Sequence, residues 1–464
     1  MDKYLPYANC IDSGIDWLGE VPAHWEIKKL KFLASVYPSN VDKKTKEGEQ
    51  PVRLCNYTDV YYNEQIDGTL DFMVASATYE QIEKFSLCAG DTILTKDSED
   101  RDDIAVPAYV TESLPGVVCG YHLAMVRPKA PESGAYIKRF IESWYARSFF
   151  ATQANGLTRY GLGTYPLNNI RVLFPPVDEA RNIAAFLDHE TAKIDRLIAK
   201  QERLIDLLKE KRQAVISHAV TKGLHPDAPM KDSGVEWLGE VPAHWEVMAT
   251  KFVCSLIKDG THLPPPRVAD GVRLLSVRNI VGGRFVLRED DSMISEESYA
   301  DLARSFVVKI GDVLLAIVGA TLGKAAIVEE LGTRFHIQRS LGVFRVREML
   351  LRNEYLRYVF VSNGFQQLLW ENVGFSAQPG IYLGALADFR IPVPGLSEQE
   401  AIISYLNEKV EMLDRLQAKA EASIQLMKEH RTALISSAVT GKIDVRGWQK
   451  PNNEPQAAAT AASA

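Results

Sequence analysis

The sequence predicts an α+β chain built twice over: two globular mixed α/β domains joined by two long helices, which pair as an intramolecular antiparallel coiled coil in a pseudo-two-fold duplication. Three observations predict it. A motif near the start returns almost unchanged half a chain later. Each copy is followed by a divergent stretch of short β-type runs. Each half then closes on a helix with apolar residues every seven positions.

The motif Asp12-Ser-Gly-Ile-Asp-Trp-Leu-Gly-Glu-Val-Pro-Ala-His-Trp-Glu-Ile27 recurs as Asp232-Ser-Gly-Val-Glu-Trp-Leu-Gly-Glu-Val-Pro-Ala-His-Trp-Glu-Val247. The copies differ only at Ile15/Val235, Asp16/Glu236 and Ile27/Val247, and Lys31-Phe32 and Lys251-Phe252 continue the match. A second pair closes the halves: Lys209-Glu-Lys-Arg-Gln-Ala-Val-Ile-Ser-His-Ala-Val-Thr221 against Lys428-Glu-His-Arg-Thr-Ala-Leu-Ile-Ser-Ser-Ala-Val-Thr440. A period this long is no solenoid, whose units run about 20–50 residues; it is a duplicated domain plus connector. A pseudo-dimer in one chain suits a target with two related halves.

The division along the chain is therefore an N-terminal segment, 1–27; a first variable domain, 28–176; a central helix, 177–223; a linker with the second motif copy, 224–247; a second variable domain, 248–394; a distal helix, 395–442; and a tail, 443–464, expected to be disordered from its Ala-rich end.

Pro175-Pro176 end a strand, and Asp178 is placed to cap the helix that follows, with Glu179 in its first turn. Leu187, Ile194, Gln201, Leu208 and Val215 then recur every seven residues, with Ile198, Ile205, Arg212 and Ala219 beside them. That spacing describes a coiled-coil seam, and Gly223 ends it. The distal helix is expected to start at Ser397 with Glu400 completing a capping box, and its stripe is Leu406, Leu413, Ala420, Met427 and Leu434. Both copies keep one register while the domains diverge, which favours pairing of the two helices over packing of each on its own domain. At 1.5 Å per residue a helix from Glu179 to Thr221 is about 64 Å long, enough to hold two domains a fixed distance apart.

The variable domains share a frame. Val52–Val60 aligns with Val272–Ile280, Ala89–Leu94 with Ile310–Leu315 through a Gly-Asp turn, and Val117–Val126 with Phe335–Phe344; 136–145 and 354–360 read as helices. Loops differ, and polar residues able to read bases gather in them. In the first domain the candidates are Arg53, Asn56, Thr58, Lys96, Arg101, Tyr121, His122, Asn155, Thr158, Arg159 and Tyr160. In the second they are Lys258, Thr261, His262, Arg278, Asn279, Thr321, Lys324, Gln338, Arg339, Ser340, Ser376 and Gln378. Arg159 and the aligned Ser376 and Gln378 lead the set. Arginine pairs bidentately with guanine, and asparagine or glutamine with adenine.

Composition bounds the rest. The chain has 464 residues, too many for one ordinary domain, with 46% apolar and 24% charged residues. No run approaches the roughly 18 apolar residues of a membrane span, and Met1-Asp2-Lys3-Tyr4-Leu5-Pro6 lacks the apolar core of a secretory signal. Cys10, Cys55, Cys88, Cys119 and Cys254 contain no Cys-x-x-Cys and read as reduced thiols, so a cytoplasmic location and no metal site are expected. A net charge of −7 argues against non-specific coating of nucleic acid but permits local basic patches.

Catalytic motifs do not emerge. Phe174-Pro-Pro-Val177 and Leu263-Pro-Pro-Pro266 miss the Asn/Asp/Ser-Pro-Pro-Tyr/Phe tetrapeptide of amino-methyltransferases, and Gly319-Ala-Thr-Leu-Gly-Lys-Ala325 is one residue short of a P-loop and lacks its Ser/Thr. Gly161-Leu-Gly163 has no third glycine in dinucleotide spacing. His24 and His244 read as structural anchors. The acidic run Asp97, Glu99, Asp100, Asp102 and Asp103 would bind Mg²⁺ in a nuclease; the second domain has Ile317-Val-Gly-Ala-Thr321 there, which favours a solvated loop.

The Asp-Ser-Gly-x-x-Trp-Leu-Gly-Glu-Val-Pro-x-His-Trp-Glu motif, the Glu398-Gln399-Glu400-Ala401-Ile402 helix start and the Ala438-to-Arg446 ending resemble type I restriction–modification specificity subunits along nearly the whole chain. The first copy departs from that pattern at Glu179-Ala-Arg-Asn-Ile183. The resemblance implies that each variable region is a target recognition domain reading one half of an asymmetric bipartite DNA site. It implies that the helices set the spacing and dock two modification (methyltransferase) subunits, to which restriction (translocase/nuclease) subunits add. It also implies that this chain is not itself an enzyme and carries no cofactor, S-adenosylmethionine, ATP and Mg²⁺ belonging to the partners. A scaffold of paired helices that never touches DNA is the competing expectation.

Overall fold

A computed structural model describes residues 4–15, 18–263, 265–374 and 379–451. The chain forms two compact units, one of Met1–Gln201 with Ala422–Ala464, the other of Glu202–Glu421. The central helix runs Val177–Lys222 and the distal helix Leu396–Val439, so each unit takes a part of each helix.

In unit 1 the strands of the two larger sheets are β1 (Ala34–Pro38), β2 (Gln50–Cys55), β3 (Gln65–Ile66), β4 (Met73–Ala77), β5 (Ser86–Leu87), β6 (Thr92–Thr95), β7 (Pro107–Val110), β8 (Leu114–Cys119) and β9 (Leu123–Pro128). They make a five-stranded sheet in the order β1-β9-β6-β7-β3 and a four-stranded sheet in the order β4-β2-β8-β5. The central strands are buried on both faces: all of β6 and nearly all of β9 are out of contact with solvent. The helix expected over 136–145 is two, Gly134–Ile141 and Trp144–Gln153. They are separated where the Ser143 hydroxyl accepts from Ala146 N and so caps the second.

In unit 2 the strands of the two larger sheets are β10 (Cys254–Asp259), β11 (Val272–Leu275), β12 (Ile280–Val281), β13 (Arg284–Phe285), β14 (Met293–Ile294), β15 (Val313–Ala316), β16 (Ala325–Ile327), β17 (Phe335–Ile337) and β18 (Leu341–Val346). The sheets run β10-β18-β15-β16-β13-β12 and β14-β11-β17. The plan of unit 1 is repeated in outline, with six strands instead of five in the larger sheet and three instead of four in the smaller. The parallel pair β2–β8, with Leu54 opposite Val118, has its counterpart in β11–β17, with Leu274 opposite His336. An arginine–aspartate clasp at the Gly-Asp turn repeats too: Arg127 on Asp91 and Arg345 on Asp312, each aspartate almost wholly buried.

Within each unit the two helix segments run antiparallel. In unit 1 Arg431 Nε donates to Asp195 Oδ1 at 3.0 Å, while Asn182, nearer the helix start, donates to the Val445 carbonyl. In unit 2 Arg212 Nε lies 3.2 Å from Asp414 Oδ1. Asp195 and Asp414 are equivalent in the repeat, as are Arg431 and Arg212, so one ion pair is made twice with its partners exchanged between helices. Burial pushes the Asp195 carboxyl up and the Arg431 guanidinium down, so desolvation opposes the pair and its worth is in registering the helices more than in net energy.

Of the seven-residue stripes, Leu187, Ile194 and Leu434 lie in the core of unit 1, with Ile198 and Met427 half-buried against it; Gln201 is half-buried. In unit 2 Leu406 lies in the core with Val215 packed on it, Leu413 and Ala420 are buried, and Leu208 is half-buried. The deepest contacts of the central helix there come from Ala219 of the second stripe and, one position over, from Ile216 and Val220. Each stripe meets the sheet domain at one end as well as the other helix, which rotates the buried face.

The duplicated motif is the fastening. In unit 1 Glu179, in the first turn of the central helix, accepts from Tyr7 Oη at 2.6 Å and Trp25 Nε1 at 3.0 Å, and contacts His24 Nε2 at 2.7 Å. Gly441, at φ +71°, ends the distal helix against Pro22, where a Cβ would stand 2.2 Å from the proline ring. In unit 2 His244 Nε2 meets Glu398 of the distal helix at 2.8 Å, and Gly223, at φ +75°, ends the central helix against Trp245 and Pro242. Each motif copy thus clamps the start of one helix to the end of the other, which is why the repeat is so exact in sequence. The clamp is weaker in unit 2, where Trp245 is fully buried and its Nε1 finds no hydrogen-bond partner among the described residues.

Three expectations are corrected. Asp178 is not a cap: the helix begins one residue earlier, at Val177, and Asp178 lies in its first turn. Ser397 is inside the distal helix, which starts at Leu396 with Gly395 O accepting from Glu398 N and Gln399 N; the buried Gln399 amide joins Arg352 N, Leu350 O and Pro394 O instead. Residues 443–451 are not a free tail, because Ile443 and Val445 enter the core of unit 1 and Trp448 packs against Phe186; the Ala-rich end lies outside the described residues.

Candidate nucleic-acid interface

In unit 1 the turn between β8 and β9 and the chain leaving β6 come together. Lys96 N donates to His122 O, and Leu162 N donates to Lys96 O, drawing in the short ladder of Asp97–Ser98 with Tyr160–Gly161. The side chains follow. Lys96 Nζ lies 4.7 Å from the centre of the Tyr121 ring, the Tyr121 and His122 rings are 4.2 Å apart, and His122 Nδ1 meets Asp97 Oδ2 at 2.6 Å. His122 sits at φ +71°, an uncommon conformation for a non-glycine residue, held by these contacts. Thr158 and Arg159 project from the exposed loop closed by the Asn155–Gly161 bridge. Burial, and then the Asp103 carboxylate, push the Tyr57 phenol up, with Arg159 opposing them more weakly.

Sequence reasoning did not single out Tyr57 and Tyr61, whose rings stack 5.5 Å apart beside this cluster. Their helical i, i+4 spacing after an N-cap residue was the available signal. Tyr61 donates to Asp103 Oδ2 at 2.5 Å, and that bond raises its phenol to about 12.

Other first-domain candidates are spent elsewhere. Asn56 caps the helix Tyr57–Tyr61: its Oδ1 accepts from Thr58 N and Thr58 Oγ1, so neither side chain is free to present a bidentate edge without breaking the cap. Arg101 Nε donates to Ala151 O and ties the acidic turn to a helix. Arg53 lies on β2 over Phe72, on the second sheet. Three of the five residues of the acidic run are equally committed: Asp97 to His122, Asp100 to the turn backbone and Asp103 to Tyr61. Among the described residues no group of three or more His, Cys, Asp or Glu is arranged to hold a metal ion.

In unit 2 the equivalent turn, β17 to β18, carries Gln338, Arg339 and Ser340. Thr261 bridges to Gln338, Arg339 N donates to Thr261 O at 3.1 Å, and His262 Nε2 contacts Asp259 Oδ2 at 2.6 Å. Lys258, His262 and Arg339 are exposed, so a basic and amide cluster occupies the place of the aromatic one in unit 1. The loop Val318–Lys324 stands nearby in the chain fold, with Ile317 N donating to Ser340 O; it exposes Lys324 and half-exposes Thr321.

Asn279 is a correction. It is fully buried, its amide donating to Val286 O and Asp291 Oδ1 and accepting from Ser276 N, and no base can reach it. Arg278 pairs with Asp290 and Asp291. Ser376 and Gln378 lie outside the described residues.

With this geometry in place, comparison with known proteins is informative. Residues 278–426 match the family model of the type I restriction modification DNA specificity domain. The MjaVIII specificity subunit of Methanocaldococcus jannaschii is 26% identical over 303 residues, 64% of this chain and 68% of that protein. The putative MjaX specificity subunit of the same archaeon is 23% identical over 448 residues, 92% of this chain and 96% of that one. The EcoBI specificity subunit of Escherichia coli is 25% identical over 326 residues, 68% of each. A chain from a solved structure on complex assembly and conformational transition of the type I R-M system shares the fold, with a TM-score of 0.68 and 16% identity over 91% of this chain and 99% of that one. By the specificity domain at 278–426 and a likeness that extends along most of its length, the chain is similar to type I restriction–modification specificity subunits.

Proposed function

We propose that this chain gives a type I restriction–modification complex its DNA sequence specificity, the loop cluster of each unit binding one half of an asymmetric bipartite target. The observation that carries the reading is that one strand plan presents two chemically different clusters at the same turn. Tyr121 and His122 stand on the β8–β9 turn with Lys96 drawn against them, and Gln338 and Arg339 stand on the β17–β18 turn. A repeated frame with unlike reading heads is what a split, non-palindromic site requires. The chain itself is non-catalytic in this reading and works in the cytoplasm. It docks two modification subunits and, through them, restriction subunits; S-adenosylmethionine, ATP and Mg²⁺ act in those partners. The paired helices set the spacing between the half-sites.

Exchanging residues 28–176 for the corresponding domain of another specificity subunit tests this. One half-site of the methylated sequence should change and the other should stay. If both half-sites change, one domain does not serve one half-site; if neither changes, the scaffold reading is correct. Removing one heptad, Glu202–Leu208, with the matching deletion in the distal helix, should alter the number of unread bases between the half-sites.

A further inference from the structure

Folding explains why most of the duplicated residues are duplicated: Val21 and Val241, Trp25 and Trp245 are buried. It does not explain Phe32 and Phe252. Each sits on a one-turn helix, Leu30–Leu33 in unit 1 and Thr250–Val253 in unit 2, and the residues are 59% and 57% exposed. Each follows a lysine whose ammonium lies over its ring, Lys31 at 5.4 Å and Lys251 at 5.5 Å. The neighbours on the N-terminal side have diverged completely, Lys28-Lys29-Leu30 against Met248-Ala249-Thr250. Each one-turn helix packs beside another short helix that carries an exposed tyrosine, Tyr165 on Thr164–Asn169 and Tyr382 at the start of Leu383–Asp388.

A large exposed apolar side chain costs a free chain solubility and contributes little to its stability. Finding it twice, at equivalent positions on units whose reading heads differ, calls for a ligand that is the same at both units. The DNA bases differ between half-sites. The DNA backbone is common to both, but an apolar ring offers a phosphate nothing. In unit 2 the lysine charge is already met by Asp388 Oδ1 at 2.6 Å, a carboxylate that would repel phosphate. Aromatic side chains backed by a cation are the usual anchors of protein–protein interfaces. We infer that Phe32 and Phe252, each with its preceding lysine, are the anchor points on which two copies of one protein partner, the modification subunit, dock, one copy to each unit. This rests on the functional reading above and adds the contact residues to it.

The test is assembly of the full-length chain with purified modification subunit, followed by native mass spectrometry and sedimentation. The wild-type chain should take up two copies. Phe32→Ala or Phe252→Ala should each leave one copy bound at concentrations that saturate the wild type, and the double variant none, with at least a tenfold weaker affinity at each altered unit. Because both rings are exposed, thermal melting should be unchanged; Phe32→Tyr, which keeps an aromatic ring, should restore assembly. Two copies bound with unaltered affinity by the double variant would overturn the inference and leave the functional reading standing. So would loss of DNA binding with partner binding intact, which would make the patch a DNA contact. Failure of the wild-type chain to bind any modification subunit would overturn the functional reading and this inference together.

Discussion

Truncating Glu179 should destabilise the protein far more than truncating its repeat equivalent, Glu398. The Glu179 side chain is 8% exposed and accepts from Tyr7, Trp25 and His24. Tyr7 and Trp25 are themselves buried, and the Tyr7 phenol is pushed well up, by burial first and by the Glu179 hydrogen bond second. Hydrogen bonds to a charged group contribute about 1.5–3 kcal/mol each, and a buried donor left without a partner costs about 1–3 kcal/mol. Glu179→Ala strands two buried donors and loses a half-exposed third, so roughly 4 kcal/mol is expected. Among the described residues the Glu398 side chain meets only His244, which is more exposed, and Trp245 Nε1 has no partner to lose, so Glu398→Ala should cost ~1 kcal/mol or less. For a unit of this size about 2–4 °C of melting temperature accompanies each kcal/mol, which separates the variants by roughly 6–12 °C. Differential scanning calorimetry of the full chain reads the shift, and hydrogen exchange of peptides from 4–30 and 177–190 assigns it to the clamp. Equal shifts for the two variants would refute the account of the clamp.

Further expectations follow from the same contacts. His336 is buried between the carbonyls of Phe306 and Ile337, and burial holds its imidazole below the usual value of 6.5. The unfolded chain therefore binds a proton more readily than the folded one. Stability is full above about pH 6.5 and falls as the pH drops through the folded value, by at most about 1.4 kcal/mol per pH unit. His336→Val, which copies Val118 at the same register in unit 1, should flatten the slope between pH 7.5 and 5.5 in thermal melts. Gly441→Ala should be the harsher of the two helix-end substitutions, by more than about 1 kcal/mol in urea unfolding. Both glycines carry the left-handed penalty of about 1–2 kcal/mol, but only at Gly441 does the new Cβ run into the Pro22 ring. Lys96→Ala should weaken binding of the assembled complex to all duplexes and lower the salt slope by about 1, measured by anisotropy. Arg339→Ala should cost about 1–3 kcal/mol on the cognate site alone.

The parts of this fold legible in the sequence are those governed by local pattern or by repetition. The motif copies, the seven-residue stripes and the aligned Gly-Asp turns are written twice. What could not be read depends on partners remote in sequence. Asn279 looks like a loop amide until Asp291 and Val286 are seen to enclose it. Asn56 looks like a base reader, yet its helix uses it as a cap. Ser397 satisfies a capping pattern, but Gly395 and the buried Gln399 fix the start one residue earlier. Ile443 and Val445 lie among polar residues before an Ala-rich end, and only the core of unit 1 shows why they are apolar. The site was legible as a set of loops, because polar turn residues gather there. Which of them converge was not, since the meeting of Lys96 with Tyr121 and of Thr261 with Gln338 depends on sheet pairing across the domain.

The most direct measurement is the methylome of a strain carrying the complete system, compared with the same strain lacking only this chain. The account predicts one bipartite, asymmetric methylated motif that disappears with the chain and returns with its half-site altered when 28–176 is exchanged. A methylation pattern indifferent to the presence of this chain would contradict it.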